Sequence, residues 1–124
     1  MGYPAVVARA PEDRVTDQPL RRDARLREVV DRLVQAYHPE RIYLFGSLAR
    51  GEAGPASDYD LFLIVPDDAA DDRKSSRLAY QVLRGTGTGA DVLVATKSRF
   101  EARARVVSSL PATVLREGQL LHVA

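Results

Sequence analysis

The chain has 124 residues, enough for one compact domain with its own core and too few for two. Its formal net charge of +1 gives no electrostatic reason to expect binding to nucleic acid or to a membrane surface. It contains no cysteine, which excludes disulfide bonds and thiolate metal sites, and no apolar stretch approaches the length of a membrane span. We therefore expect a cytoplasmic protein.

The N-terminal region differs in pattern from the rest of the chain. Residues 1–19 contain three prolines and no sustained hydrophobic period, so we predict a flexible N-terminal arm, followed by one domain at residues 20–124. From Leu20 onward, apolar residues recur at helical spacing as far as Tyr37. Pro39 is predicted to end this first helix.

Predicted strands and helices alternate through the remaining sequence. Short apolar runs predict the strands, and apolar spacing with capping residues predicts the helices. The predicted strands are residues 42–45, 61–65, 92–95 and, at an edge, 120–123. The predicted helices are residues 47–50, a segment presenting Leu78, Val82 and Leu83, residues 98–107, and a last helix that Ser109 caps, Pro111 begins and Gly118 ends. This order predicts an α/β or α+β domain with helices packed on one sheet, without fixing its topology.

Two aspartates stand where the second predicted strand begins. Asp58 and Asp60 are two residues apart, so in a strand their side chains point the same way, about 7 Å apart. Two carboxylates this close repel unless a cation lies between them or one remains protonated. Magnesium suits such a position, because it binds a few carboxylates together with water and substrate phosphates. On its own, however, an Asp-x-Asp sequence is more typical of a turn and a solvated strand.

A glycine and a serine separate the first predicted strand from the region that follows. Gly46 would let a ligand approach the backbone, and a helix beginning near Ser47 would offer free N–H groups to an anion. The Ser47 hydroxyl can add a hydrogen bond to a terminal phosphate. A Gly-Ser pair alone is usually only a turn, but beside two carboxylates it indicates a site for a nucleotide and a metal.

A third carboxylate stands at the start of the third predicted strand. Asp91 precedes the apolar run at residues 92–95. If this strand lies beside the one that Asp58 and Asp60 begin, all three carboxylates converge at one end of the sheet. Two of them could then bridge two metal ions, and the third could bind one ion and accept a proton from an attacking hydroxyl group.

These residues form a longer motif that resembles a known signature. The sequences FGS at 45–47, ARG at 49–51 and SDYDL at 57–61 closely resemble the signature of the DNA polymerase β-like nucleotidyltransferases, and most of all its minimal nucleotidyltransferase (MNT) branch. Ten residues separate the Gly-Ser pair from Asp-x-Asp, as in that branch, and Asp91 falls where its third carboxylate is expected. The resemblance covers residues 41–124.

The resemblance implies a fold, an activity and a set of site residues. The fold is a small mixed sheet flanked by helices, and the activity is magnesium-dependent transfer of a nucleotidyl group, with ATP as the expected substrate and two magnesium ions. The implied catalytic and metal-binding residues are Asp58, Asp60 and Asp91. The implied nucleotide-binding residues are Gly46, Ser47, Arg50 and Ser57.

The resemblance also implies a partner. Minimal members commonly act as the antitoxin of a helical HEPN toxin, which they neutralise by transferring AMP to a tyrosine. Two alternatives stay open, because a shared fold does not fix the acceptor. The protein could block its partner by contact without catalysis, or it could modify a small molecule such as an aminoglycoside. We expect no membrane binding and no direct binding to nucleic acid.

Overall fold

A four-stranded sheet forms the centre of the molecule. The computed structural model describes residue 15 and residues 18–46 and 59–124. The strands are β1 (Arg41–Phe45), β2 (Tyr59–Val65), β3 (Ala90–Thr96) and β4 (Gln119–Val123), in the spatial order β3-β2-β1-β4. β1 pairs antiparallel with β2 and with β4, whereas β2 and β3 are parallel. The sheet is therefore mixed, and the predicted α+β class is confirmed.

Helices cover both faces of this sheet. They are α1 (Gln18–Arg22), α2 (Ala24–Tyr37), α3 (Arg77–Val82), α4 (Lys97–Ala104) and α5 (Leu110–Glu117), with a 3₁₀ turn at Asp71–Lys74. α2 and α3 pack on one face, and α4 and α5 pack on the other. In the described part of the chain, no helix is both long enough and apolar enough to cross a membrane.

The alternation of side chains along β2 explains why this strand lies inside the sheet. Leu61, Leu63 and Val65 are buried against α2 and α3, whereas Phe62 and Ile64 are buried in the second core, beneath α4 and α5. A strand that is covered on both faces is apolar throughout, which is the pattern the sequence shows. The same alternation puts Asp60 on the face of Phe62 and Ile64.

The first helical region is divided at Asp23, where a single helix from Leu20 was predicted. The Asp23 carboxylate accepts hydrogen bonds from the backbone N–H groups of Arg25 (3.1 Å) and Leu26 (3.2 Å), so it caps the start of α2. α2 ends at Tyr37, because His38 adopts a left-handed conformation (φ 48°). The helix thus stops before Pro39, and a side-chain cap divides α1 from α2.

The C-terminal elements follow the sequence prediction closely. Ser109 caps α5, accepting a hydrogen bond from the N–H of Ala112 (3.2 Å), and Pro111 occupies the first turn. Gly118 ends α5, and β4 follows as an edge strand. α4, in contrast, is shorter than the predicted helix at residues 98–107. It stops at Ala104.

Candidate functional site

The parallel pairing of β2 with β3 brings two of the predicted carboxylates together. Asp60 lies opposite Asp91 in the register of the two strands. Neighbouring strands are about 4.8 Å apart, so these residues stand side by side and point to the same face. Asp60 is half-buried and Asp91 is exposed. A site shared by these carboxylates required the two strands to be neighbours in the sheet, and in the structure they are.

The two aspartates occupy an end of the sheet face that the described helices leave open. Further along the same face, Phe62 and Phe100 are buried beneath α4 and α5. Nearer to Asp91, the next residue of β3 on this face, Leu93, remains 40% exposed. Among the residues that the structure describes, the covering helices therefore end short of the carboxylates, and this end of the face can receive a ligand.

Gly46 lies directly beneath the Asp60 carboxylate. It follows β1, whose last residue, Phe45, pairs with Asp60. Its φ is +77°, and a Cβ added there would lie 3.2 Å from Asp60 Cγ and closer still to Oδ2. Both the backbone conformation and the lack of space therefore require glycine. The sequence suggested that Gly46 makes room for a phosphate; the structure shows that it first makes room for a carboxylate.

Asp60 and Asp91 have the chemistry of magnesium ligands. Carboxylate oxygens are hard donors, and magnesium needs only one or two from a protein when phosphates and water complete its shell. Within the described residues there is no group of three or more histidine, aspartate or glutamate side chains that could hold a metal. The third predicted ligand, Asp58, lies outside those residues, so the described part of the site is a pair of carboxylates.

The remaining predicted site residues also fall outside the described ranges. Ser47, Arg50 and Ser57 lie there, as does the short helix predicted at residues 47–50. Of the seven residues predicted for the site, the structure positions Gly46, Asp60 and Asp91, and it places all three at one end of the sheet.

Tyr59 supports the site in a way that the sequence did not reveal. Its hydroxyl donates a hydrogen bond to Oδ2 of Asp23, the residue whose Oδ1 caps α2. Burial, followed by the hydrogen bond to Asp23 and its charge, raises the pKa of Tyr59 to about 12. Tyr59 thus ties the strand that carries Asp60 to the start of α2. The only sequence feature that could have indicated this role is the position of Asp23 just before the apolar helical period, where a helix cap is expected.

Replacing Gly46 by alanine should disturb the carboxylate site specifically. Gly85 is the matched control, because it also has a positive φ (+85°) but no atom lies within 4 Å of an added Cβ. Both substitutions should cost about 1–2 kcal/mol of stability through the backbone. Only Gly46→Ala should push the Asp60 carboxylate aside and weaken magnesium binding, as measured by calorimetric titration. Equal magnesium affinity in the two variants would contradict this geometry.

The Tyr59–Asp23 hydrogen bond should make stability depend on alkaline pH. A tyrosine pKa raised by folding means that the folded chain holds this proton more tightly than the unfolded chain does. The resulting stabilisation is present below the ordinary pKa of about 10 and is lost as the pH rises through about 12. Urea unfolding between pH 9 and pH 12 should therefore show that the free energy of unfolding falls more steeply for the native chain than for Tyr59→Phe.

Tyr80 supplies the control, because its side chain is 57% exposed. In Tyr80→Phe, the free energy of unfolding should fall as steeply at alkaline pH as it does in the native chain. At neutral pH, Tyr59→Phe should cost about 1 kcal/mol, the usual contribution of one hydrogen bond. If Tyr59→Phe and Tyr80→Phe show the same alkaline profile, the hydrogen bond to Asp23 does not stabilise the fold.

Comparison with known proteins agrees with this architecture. Residues 24–120 match the family model described as "Nucleotidyltransferase domain". The fold is similar to the crystal structure of "a putative nucleotidyltransferase from Sulfolobus solfataricus" (TM-score 0.54, 17% identity, 81% of this chain and 78% of that one). It is also similar to a crystal structure of a "toxin-antitoxin with AMP-PNP" (TM-score 0.51, 21% identity, 78% and 73%). No curated protein matches the sequence significantly.

Proposed function

The chain belongs to the nucleotidyltransferase domain family and is a nucleotidyltransferase, and we propose that it acts as an antitoxin that transfers AMP from ATP to a partner toxin. The acceptor would be a tyrosine hydroxyl of a HEPN protein. The observation that carries the proposal is the register that sets Asp60 beside Asp91, with Gly46 against the Asp60 carboxylate on its other side. The similar toxin–antitoxin structure contains AMP-PNP, an ATP analogue, which supports both the nucleotide and the kind of partner.

Several residues would hold the triphosphate. Gly46 lies at the end of β1 beside the carboxylates, where its backbone carries no side chain to exclude a phosphate. We assign Ser47, Arg50 and Ser57 to nucleotide binding on the family motif, in which they flank this glycine and the two aspartates. Serine hydroxyls and an arginine guanidinium are suitable donors to phosphate oxygens.

Asp58, Asp60 and Asp91 would hold two magnesium ions, which when bound neutralise charge on the triphosphate and on the departing pyrophosphate. Asp91 has a further role in this proposal. It is exposed at the open end of the face, so an acceptor hydroxyl can reach it. Its carboxylate would accept the hydroxyl proton while the hydroxyl oxygen bonds to the α-phosphorus. The bond from the α-phosphorus to the bridging oxygen then breaks, and pyrophosphate leaves.

Transfer can be tested directly with a candidate HEPN toxin as the acceptor. The purified proteins are incubated with magnesium and ATP labelled in the α-phosphate, and labelled toxin is quantified and mapped by mass spectrometry. We expect label on one tyrosine, and a rate at least about a hundredfold lower for Asp60→Asn and for Asp91→Asn. Asp68→Asn, an exposed aspartate outside the site, is the matched control and should label at the native rate. Equal labelling by all variants would refute the assignment.

Neutralisation in cells separates catalysis from simple contact. Cells expressing the toxin should resume growth with the native chain or Asp68→Asn, and should stay arrested with Asp91→Asn produced at the same level. The reason is that an asparagine side chain keeps the shape of this surface but cannot accept a proton. If Asp91→Asn restores growth as well as the native chain does, the protein neutralises its partner by contact.

A further inference from the structure

A cleft of about 640 Å³ lies along β3, next to the carboxylate site. One side is formed by residues 93–96 of β3, and the others by α4, the start of α5 and residues 74–76. β3 is the edge strand of the sheet in the described part of the chain, so its outer side is open to an incoming segment. The cleft is distinct from the carboxylates but begins close to them.

The charged residues of this cleft are all basic. Lys74, Arg99 and Arg103 line it, and no aspartate or glutamate that the structure describes does so. None of the three lies within ion-pair distance of an acid in the described ranges, although the pKa of Asp67, which a hydrogen bond from the Ser98 N–H lowers, is lowered further by the nearby charge of Lys74. Arg99 and Arg103 are four residues apart on α4, a spacing at which like charges disfavour the helix. An anionic ligand in the cleft would offset this repulsion.

The apolar part of the cleft favours a protein segment over a nucleic acid. Leu93 and Leu110 are 40% and 38% exposed there, so they can receive apolar side chains. The two aromatic residues, Phe62 and Phe100, are buried and pack edge to face with ring centres 5.2 Å apart. Neither ring therefore presents a free face on which a base could stack, as single-stranded nucleic acids require.

The distance between the cleft and Asp91 limits how far a bound segment can lie from the proposed reaction. Leu93 is two residues beyond Asp91 on the same face of β3, about 7 Å away, and Thr96 is about 16 Å from Asp91. About five residues of an extended segment span that distance. We propose that the cleft binds an acidic segment of the acceptor protein, with carboxylates within about five residues of the modified hydroxyl. This inference rests on the proposed transfer to a protein.

Charge reversal on α4 tests the inference. In Arg99→Glu/Arg103→Glu, the Michaelis constant for the acceptor toxin should rise at least about tenfold and lose most of its salt dependence. Arg27→Glu/Arg84→Glu changes the net charge equally at exposed positions outside the cleft and should leave that constant unchanged. Thermal unfolding checks the fold of each variant. If the first variant unfolds at a lower temperature than the native chain, Arg99→Gln/Arg103→Gln replaces it. Its Michaelis constant for the toxin should rise about threefold.

Defined peptides identify what the cleft recognises. The probes are a fluorescent ten-residue peptide with a central tyrosine, two leucines and four glutamates, and the same peptide with lysines in place of the glutamates. The acidic peptide should bind the native chain more tightly, and binding should weaken in Arg99→Glu/Arg103→Glu. Equal binding of both peptides would overturn the inference. So would tighter, cleft-dependent binding of a ten-nucleotide single-stranded RNA, since the ligand would then be a nucleic acid.

The outcomes for the cleft and for the reaction are separable. If the toxin is labelled with the same Michaelis constant in the charge-reversal variant, the cleft does not bind the acceptor, while the proposed function stands. If no toxin is labelled but the acidic peptide binds through Arg99 and Arg103, the cleft is a docking surface and the proposed transfer is wrong.

Discussion

The register that sets two acidic residues, Asp60 and Asp91, side by side on neighbouring strands is the constraint on which the candidate site depends. Parallel pairing of β2 with β3 puts them on adjacent strands, in register and on one face. Like charges at this spacing repel, so the arrangement is unfavourable unless something positive joins them. In the proposed function, magnesium bound together with the triphosphate supplies that positive charge. This electrostatic conflict is the physical reason for proposing that the chemistry takes place at this end of the sheet.

The neighbouring elements hold Asp60 and its strand in place from two sides. Gly46, at the end of β1, leaves the space into which the Asp60 carboxylate fits. On the opposite face of the sheet, the Tyr59 hydroxyl bonds to Asp23, so the strand is anchored to the cap of α2. Tyr59 and Asp60 are consecutive and therefore point to opposite faces. One residue thus anchors the strand, while the next points to the face that carries the candidate site.

Sequence patterns predicted the elements better than their arrangement. A lone acid at the start of a strand is most often only a loop-to-strand transition residue, and Asp91 became a candidate through its order and spacing with Asp58 and Asp60. Whether the third predicted strand pairs with β2, and in which direction, depends on packing across the whole sheet, which periodicity does not encode. The helix predicted at residues 98–107 was too long because Val106 and Val107 are apolar, yet they are 55% and 78% exposed. Apolar character alone did not distinguish core from surface.

The division of the first helix and the role of Tyr59 share one explanation. Asp23 and Tyr59 are 36 residues apart, so their hydrogen bond is invisible to any local pattern. In the sequence, Asp23 could be recognised at most as a capping residue before the apolar helical period, and nothing indicated that Tyr59 is its partner. Only the fold joins them. The same limit applies to Gly46, whose contact with Asp60 depends on the register of β1 against β2.

Calorimetric titration of the protein with magnesium and a non-hydrolysable ATP analogue tests the central claim most directly. The claim is that Asp60 and Asp91 form one site but differ in role. Asp60→Asn should bind the magnesium-bound ATP analogue at least about tenfold more weakly than the native chain does, because this variant has lost a metal ligand. Asp91→Asn should largely keep nucleotide affinity while losing transfer. Unchanged affinity in Asp60→Asn would contradict the account, because the paired carboxylates would then not bind the metal-bound nucleotide.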